Sequence, residues 1–164
     1  MRGHSAAITR LIHSPSKGLI YSASLDSSIR IWALPASTHT TYAPFDHTRA
    51  RGELIGHTDA VWDLALVRDE NTLLSCGAEG AVKVWDVSGP AGGGSLMLTW
   101  GLAGLESDED FEGDESVPGC TAVEAIKTDL KKVAVAYQTS VIKIFDIETG
   151  KEVTRLNSES GQWT

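Results

Sequence analysis

Cysteine is scarce: Cys76 and Cys120 are the only two in 164 residues. Two thiols are too few for a disulfide framework or a cysteine-based metal site, and they suit a reducing, intracellular setting. Long apolar runs are missing as well, and none approaches the roughly 20 residues that a membrane helix needs. Met1-Arg2-Gly3-His4-Ser5 starts directly on a structured pattern, without the apolar core and cleavage site of a secretory signal. Basic residues are few, 14 Lys and Arg against 22 Asp and Glu. No basic stripe exists of the kind that nucleic acid or anionic lipid requires.

The acidity is local. Seven acids and no base fall between Glu106 and Glu115; taking those seven charges from the net −8 leaves the rest of the chain at −1. A hydrophobic content of 41% and a charged content of 22% fit a soluble globular protein, and the length allows one domain with a real core.

A repeat organises the chain. The first copy runs Gly3-His4, Ile8 to Ile12, Leu19 to Ser24, Asp26, then Ile29-Arg30-Ile31-Trp32; the second runs Gly56-His57, Val61 to Leu66, Leu73 to Gly77, Glu79, then Val82-Lys83-Val84-Trp85-Asp86. From the His, the Ser lies 18 residues on, the acid 22 and the Trp 28 in both copies (4, 22, 26, 32 against 57, 75, 79, 85). A third copy is degenerate. Val141-Ile142-Lys143-Ile144-Phe145-Asp146 repeats the ending with Phe145 in the Trp place, Val133 to Tyr137 precedes it, and Cys120 to Ile126 is its first strand. Val117 and Val135 occupy the His and Ser places there, so the polar set is absent.

Short β-branched runs between turn residues predict strands. Ser24 to Ser27 and Ala78-Glu79-Gly80 supply tight turns. A fourth strand follows each triplet at Glu53-Leu54-Ile55, Leu96 to Trp100 and Lys151 to Leu156. The expected fold is all-β, with about three four-stranded antiparallel blades in an incomplete ring. The expected divisions are a first blade at 3–55 with an insertion at 34–51, a second at 56–100, an acidic disordered loop at 101–118, a degenerate third blade at 119–157 and a tail at 158–164. Ser88 to Gly94 is expected to be a flexible link.

Gly-His at the start and Trp-Asp at the end resemble the WD repeat of β-propellers, over Gly3 to about Leu156. Ala33 after Trp32, Glu79 in place of Asp, and Phe145 depart from it. The stretch Gly52 to Ala65, with Leu74-Ser75-Cys76 and Tyr42 to Asp46, is similar to the propeller of striatin-family scaffolds, the fungal branch above all. That resemblance implies a regulatory and scaffold subunit of a type 2A phosphatase assembly that also holds kinases. It places the protein in the cytoplasm, or at the cytosolic face of endomembranes through partners. The family's coiled coil has no heptad counterpart here, so only protein docking carries over. It also implies a larger, seven-bladed ring of which three blades are a part. Alone, such a part is expected to be marginal, aggregation-prone or oligomeric.

Ser, His and Asp together invite a hydrolase reading, with His4, Ser22 and Asp26 as a triad. Recurrence argues against it, since successive blades do not each need an active site. In WD repeats these residues form a buried hydrogen-bonded chain. The resemblance therefore assigns His4, Ser22, Asp26, Trp32, His57, Ser75, Glu79 and Trp85 to fastening, with no catalytic residue.

Asp108, Asp110, Glu112 and Gly113 mimic a calcium loop, but Gly119 stands where the last ligand should be. Gly89 to Gly94 lacks the Lys-Ser/Thr of a phosphate loop. His13, His39 and His47 have no ligand spacing. No metal or cofactor is expected.

Ser107 before Asp108-Glu109-Asp110 is a candidate for acidophilic kinases. The core rhythm falls on Val61, Leu64 and Leu66, so Trp62 steps out of the buried set toward a rim. Trp62, with its counterpart Thr9, Ala60 and Leu25, makes the partner-binding candidates. The expected partners are proteins, not nucleic acid and not a membrane interior. Rival readings are another WD-repeat adaptor, such as a ubiquitin-ligase substrate receptor, or an enzyme built on a propeller.

Overall fold

A computed structural model describes residues 3–35, 49–67, 69–101 and 118–157. The bulk of the insertion, nearly all of the acidic loop with Ser107, the Val117 position and the 158–164 tail lie outside the described residues.

Among the described residues, twelve strands form three sheets. The first sheet holds β1 (Ile8–Ser14), β2 (Leu19–Ser24), β3 (Ser28–Ala33) and β4 (Ala50–Ile55). The second holds β5 (Val61–Leu66), β6 (Thr72–Gly77), β7 (Val82–Asp86) and β8 (Ser95–Trp100). The third holds β9 (Cys120–Ala125), β10 (Lys132–Tyr137), β11 (Val141–Asp146) and β12 (Glu152–Asn157). Every neighbouring pair is antiparallel and the order in each sheet is the order in the chain. These are successive blades of a partial propeller, and three do not close a ring of 4 to 8.

The registers repeat between blades. Leu11 opposes Ser22, Leu64 opposes Ser75, and Val123 opposes Val135. Each first strand carries a bulge at the same place, at Thr9, Trp62 and Thr121. Each fourth strand carries one opposite the Trp or Phe position, at Arg51, Met97 and Val153. The turn between second and third strands also has one left-handed residue in every blade: Ser27 at φ 65°, Gly80 at 79° and Ser140 at 64°. Glycine takes that conformation freely, whereas a side chain there is strained.

Strand alternation sends successive side chains to opposite faces, so each blade has a front and a back. The core is two layers, each a back against a front. Tyr21, Ala23, Ile29, Ile31 and Leu54 of blade 1 meet Val61, Leu64, Leu73 and Trp85 of blade 2. Leu74, Cys76, Val82, Val84 and Trp100 of blade 2 meet Cys120, Val123, Val133, Val135 and Phe145 of blade 3. Burial pushes the Cys120 thiol up to about 12 and raises Cys76 further, which leaves both as inert core thiols.

In the Ser88–Gly94 link, expected to be flexible, Gly92 is buried while Ser88, Pro90, Ala91, Gly93 and Gly94 are exposed. Gly92 has a φ of 66°, and a Cβ there would lie 2.4 Å from Leu19 Cδ1 and 2.7 Å from the Tyr21 hydroxyl of blade 1. The absence of a side chain lets the backbone at Gly92 approach the first interblade layer closely.

Candidate functional site

The recurring polar residues converge inside blades 1 and 2. In blade 1, Trp32 Nε1–H donates to Ser22 Oγ at 2.8 Å, and the Ser22 hydroxyl is 2.7 Å from His4 Nε2. His4 Nδ1 lies 2.9 Å from Asp26 Oδ2. Trp can only donate and an ionised carboxylate can only accept. The chain therefore runs in one direction, Trp to Ser to His to Asp, with the His proton on Nδ1.

Blade 2 repeats it. Trp85 Nε1–H donates to Ser75 at 2.8 Å, Ser75 is 2.6 Å from His57 Nε2, and His57 Nδ1 bonds Glu79. Burial alone would raise the Asp26 carboxyl. Hydrogen bonds from Ser28, Ser5 and His4 overcome that and hold it well below the usual carboxylate range. Burial likewise pulls Glu79 up, but His57 together with the backbone N–H groups of Thr58 and Glu79 itself leaves it lowered on balance.

The serine hydroxyl in each chain is buried and its proton is directed at an imidazole whose other nitrogen is already bonded. Ser22 and Ser75 are fully enclosed, so no acyl group reaches either oxygen. The arrangement closes a blade internally instead of presenting a nucleophile.

The longer acid of blade 2 has a visible cause. Gly77 stands where blade 1 has Ser24, and a Cβ at Gly77 would come within 2.0 Å of Glu79 Oε2 and 2.7 Å of His57 Nδ1. The missing side chain makes the room that Glu79 occupies. Blade 3 has no such chain among its described residues. Val135 and Phe145 take the Ser and Trp places, and Phe145 packs on Trp100 of blade 2 with ring centroids 5.8 Å apart.

The four partner-face candidates separate. Trp62 and Leu25 are both exposed, at 40% and 41%. Thr9 and Ala60 do not belong with them. Thr9 donates its hydroxyl to the Val61 carbonyl at 2.6 Å, so it fastens blade 1 to blade 2, and Ala60 is buried. Leu66, expected in the buried set, is half-buried. It lines a cleft of about 270 Å³ with Ala125, Ile126, Leu130, Glu124 and Lys127, which brings no nucleophile and base together.

Asp63 is a residue that the repeat did not reveal. Its Oδ1 lies 3.1 Å from Arg10 Nε of blade 1 and accepts the Leu64 N–H, while its Oδ2 accepts the Val123 N–H of blade 3 at 3.0 Å. One carboxylate thus touches all three blades. At the opposite rim, Glu70 of blade 2 accepts from the Ser14 and Ser16 hydroxyls, and Lys17 donates to the Glu70 and Val87 carbonyls. Those serine hydrogen bonds lower the Glu70 carboxyl.

Among the described residues no cluster of His, Cys, Asp and Glu could hold a metal ion, and no helix is long and apolar enough to cross a membrane.

Residues 1–33 and 49–86 match the family described as WD domain, G-beta repeat. Over 158 residues, 96% of the chain, it is 28% identical to striatin-3 of Homo sapiens. It is 27% identical to striatin-4 and 26% to striatin, both of Mus musculus, over 157 residues, again 96% of the chain. The chain spans 18% of the length of striatin-3 and striatin and 19% of striatin-4.

Proposed function

Taking residues 1–33 and 49–86 as WD repeats, we propose that this chain is a protein-interaction scaffold element without catalysis of its own. One observation carries the reading: Trp62 stands 40% exposed at a bulge on β5, the first strand of blade 2, whereas Trp32 and Trp85 are buried with their Nε1–H groups bonded to Ser22 and Ser75. Bulges re-aim a side chain away from the ladder, and a partly exposed Trp on a rigid strand is the kind of anchor that dominates binding energy. Similarity to striatins supports a finer assignment. In it the rim docks a component of a type 2A phosphatase–kinase assembly at the cytoplasmic side.

The test is affinity capture with the intact chain and with Trp62→Ala. The expected result is loss of a phosphatase scaffold subunit or kinase from the captured set, with stability changed by less than about 0.5 kcal/mol. An unchanged captured set would overturn the docking role of Trp62. Cullin adaptors in place of phosphatase components would favour a ubiquitin-ligase receptor. Ser107 is proposed as a phosphorylation site of the same protein, to be checked by mass spectrometry of material from its native cell.

A further inference from the structure

The third strand of every blade carries a long cation at one shared position. Arg30 opposes Ser22, Lys83 opposes Ser75 and Lys143 opposes Val135. Each cation reaches toward the fourth strand. Arg30 Nη2 lies 3.4 Å from Glu53 Oε1, and Lys143 Nζ lies 2.9 Å from Glu152 Oε2. Lys83 finds only a neutral partner there, the Thr99 hydroxyl at 3.3 Å, and no carboxylate among the described residues stands with it. Yet Lys83 is only 8% exposed, and an ammonium is seldom so enclosed without an anion. Blade 2 lacks the acid that the blades on either side of it supply.

The strand beside Lys83 is also short of charge. β4 holds Arg51 and Glu53, and β12 holds Glu152 and Arg155, whereas β8 reads Ser95-Leu96-Met97-Leu98-Thr99-Trp100 with no charge and no proline. Charges on an edge strand keep other chains from pairing with it. β8 is such an edge, with β7 as its only ladder neighbour among the described residues. Leu96, Met97 and Thr99 are exposed along it. It shares the bulge of β4 and β12 but not their charges. β8 belongs to the middle blade, so the ends of the chain play no part in its open edge.

We propose that β8 takes up an extended segment of a partner protein as a fifth strand, and that a carboxylate on that segment pairs with Lys83. Main-chain hydrogen bonds along the β8 edge hold the segment. Side chains directly opposite on paired strands stand about 5 Å apart, and the Lys83 ammonium already reaches Thr99 on β8. An acid opposite Thr99 on the added strand is therefore within its range. Blade 1 carries this anion on its own fourth strand; blade 2 receives it from one strand further out. Leu96 and Met97 give the same segment an apolar footing. The surface extends the scaffold role proposed above, but it rests on neither Trp62 nor the partner of Trp62.

Binding of a labelled model peptide to the full chain, read by fluorescence anisotropy, tests it. The probe alternates valine and threonine around one central glutamate, and its control carries glutamine there. The glutamate peptide should bind about tenfold tighter than the control, and amide hydrogen exchange in Ser95–Trp100 should slow when it is bound. Lys83→Met should make the two peptides equal. Thr99→Glu gives Lys83 an acid of its own, as Glu53 does for Arg30, and should also abolish the preference. Thr99 is exposed, so this second variant removes no packing. Met97→Arg gives β8 the charge that Arg51 gives β4 at the same bulge and should weaken both peptides.

Absence of binding would overturn the proposal, and so would unchanged exchange in β8 with peptide bound. Equal binding of the two peptides to the wild-type chain would overturn the pairing with Lys83. A two-chain species in light scattering that Met97→Arg disperses would mean that copies pair edge to edge, which also overturns it. Trp62→Ala should leave both peptide affinities intact, which separates failure here from failure of the docking role of Trp62.

Discussion

Blades 1 and 2 are fastened through a polar chain, and blade 3 does the same work with apolar packing. Trp85, Ser75, His57 and Glu79 line up in blade 2; Phe145 and Val135 stand at the Trp and Ser places in blade 3. The difference lies in what each solution demands. A buried polar chain is tolerable only when every member is satisfied, so its residues must change together or not at all. An apolar filling asks for volume alone and accepts substitutions of similar size. Blade 3 could therefore lose the repeat's signature and keep its strands, its register and its left-handed turn at Ser140.

The largest test of that contrast is Phe145→Ala. It opens a cavity against Trp100 and should cost about 3–5 kcal/mol, read as a shift in the urea midpoint. His57→Ala leaves Ser75 and Glu79 without their shared partner, and a loss of about 1–3 kcal/mol is expected. An unchanged melting temperature would remove the fastening role of His57.

Blades 1 and 2 can also be set against each other. Gly77→Ser alone crowds Glu79 and should destabilise by about 1–3 kcal/mol. Adding Glu79→Asp recreates the Ser–Asp pairing of blade 1 and should recover part of the loss. A double-mutant cycle with no coupling would show that the missing side chain at Gly77 and the extra methylene at Glu79 are unrelated.

The smallest effect is on pH. The folded Asp26 carboxyl sits below its unfolded value, so the unfolded state takes up its proton first as pH falls. Its contribution is present above the ordinary carboxylate range and drains away as pH drops toward the folded value. Chemical unfolding should become easier below about pH 4, and Asp26→Asn should flatten that part of the profile. A variant profile as steep as wild type would assign the acid sensitivity to other groups.

The repeat spacing made the strands legible, because a blade is a local unit whose pattern is written within about 40 residues. Even the weak third copy was placed correctly, since alternation and turn residues survive the loss of the polar set. What lies between blades was not legible. Asp63 meets Arg10 and Val123, residues 53 and 60 positions away, and no spacing rule ties them. Thr9 reads like a surface residue until the Val61 carbonyl comes into view. Gly92 reads like linker for the same reason: its neighbours Leu19 and Tyr21 belong to another blade.

Asp63 also bears on how such a chain could be rebuilt. Its equivalents in the flanking blades are Arg10 and Ala122: a cation, an acid and a methyl group at one position of the repeat. A copy of blade 2 inserted after itself would place a second carboxylate where its preceding blade offers the first Asp63 and not Arg10. The blades share a template, but they are not interchangeable cassettes. Shuffling or duplicating them would require rewriting this one residue according to its place in the row.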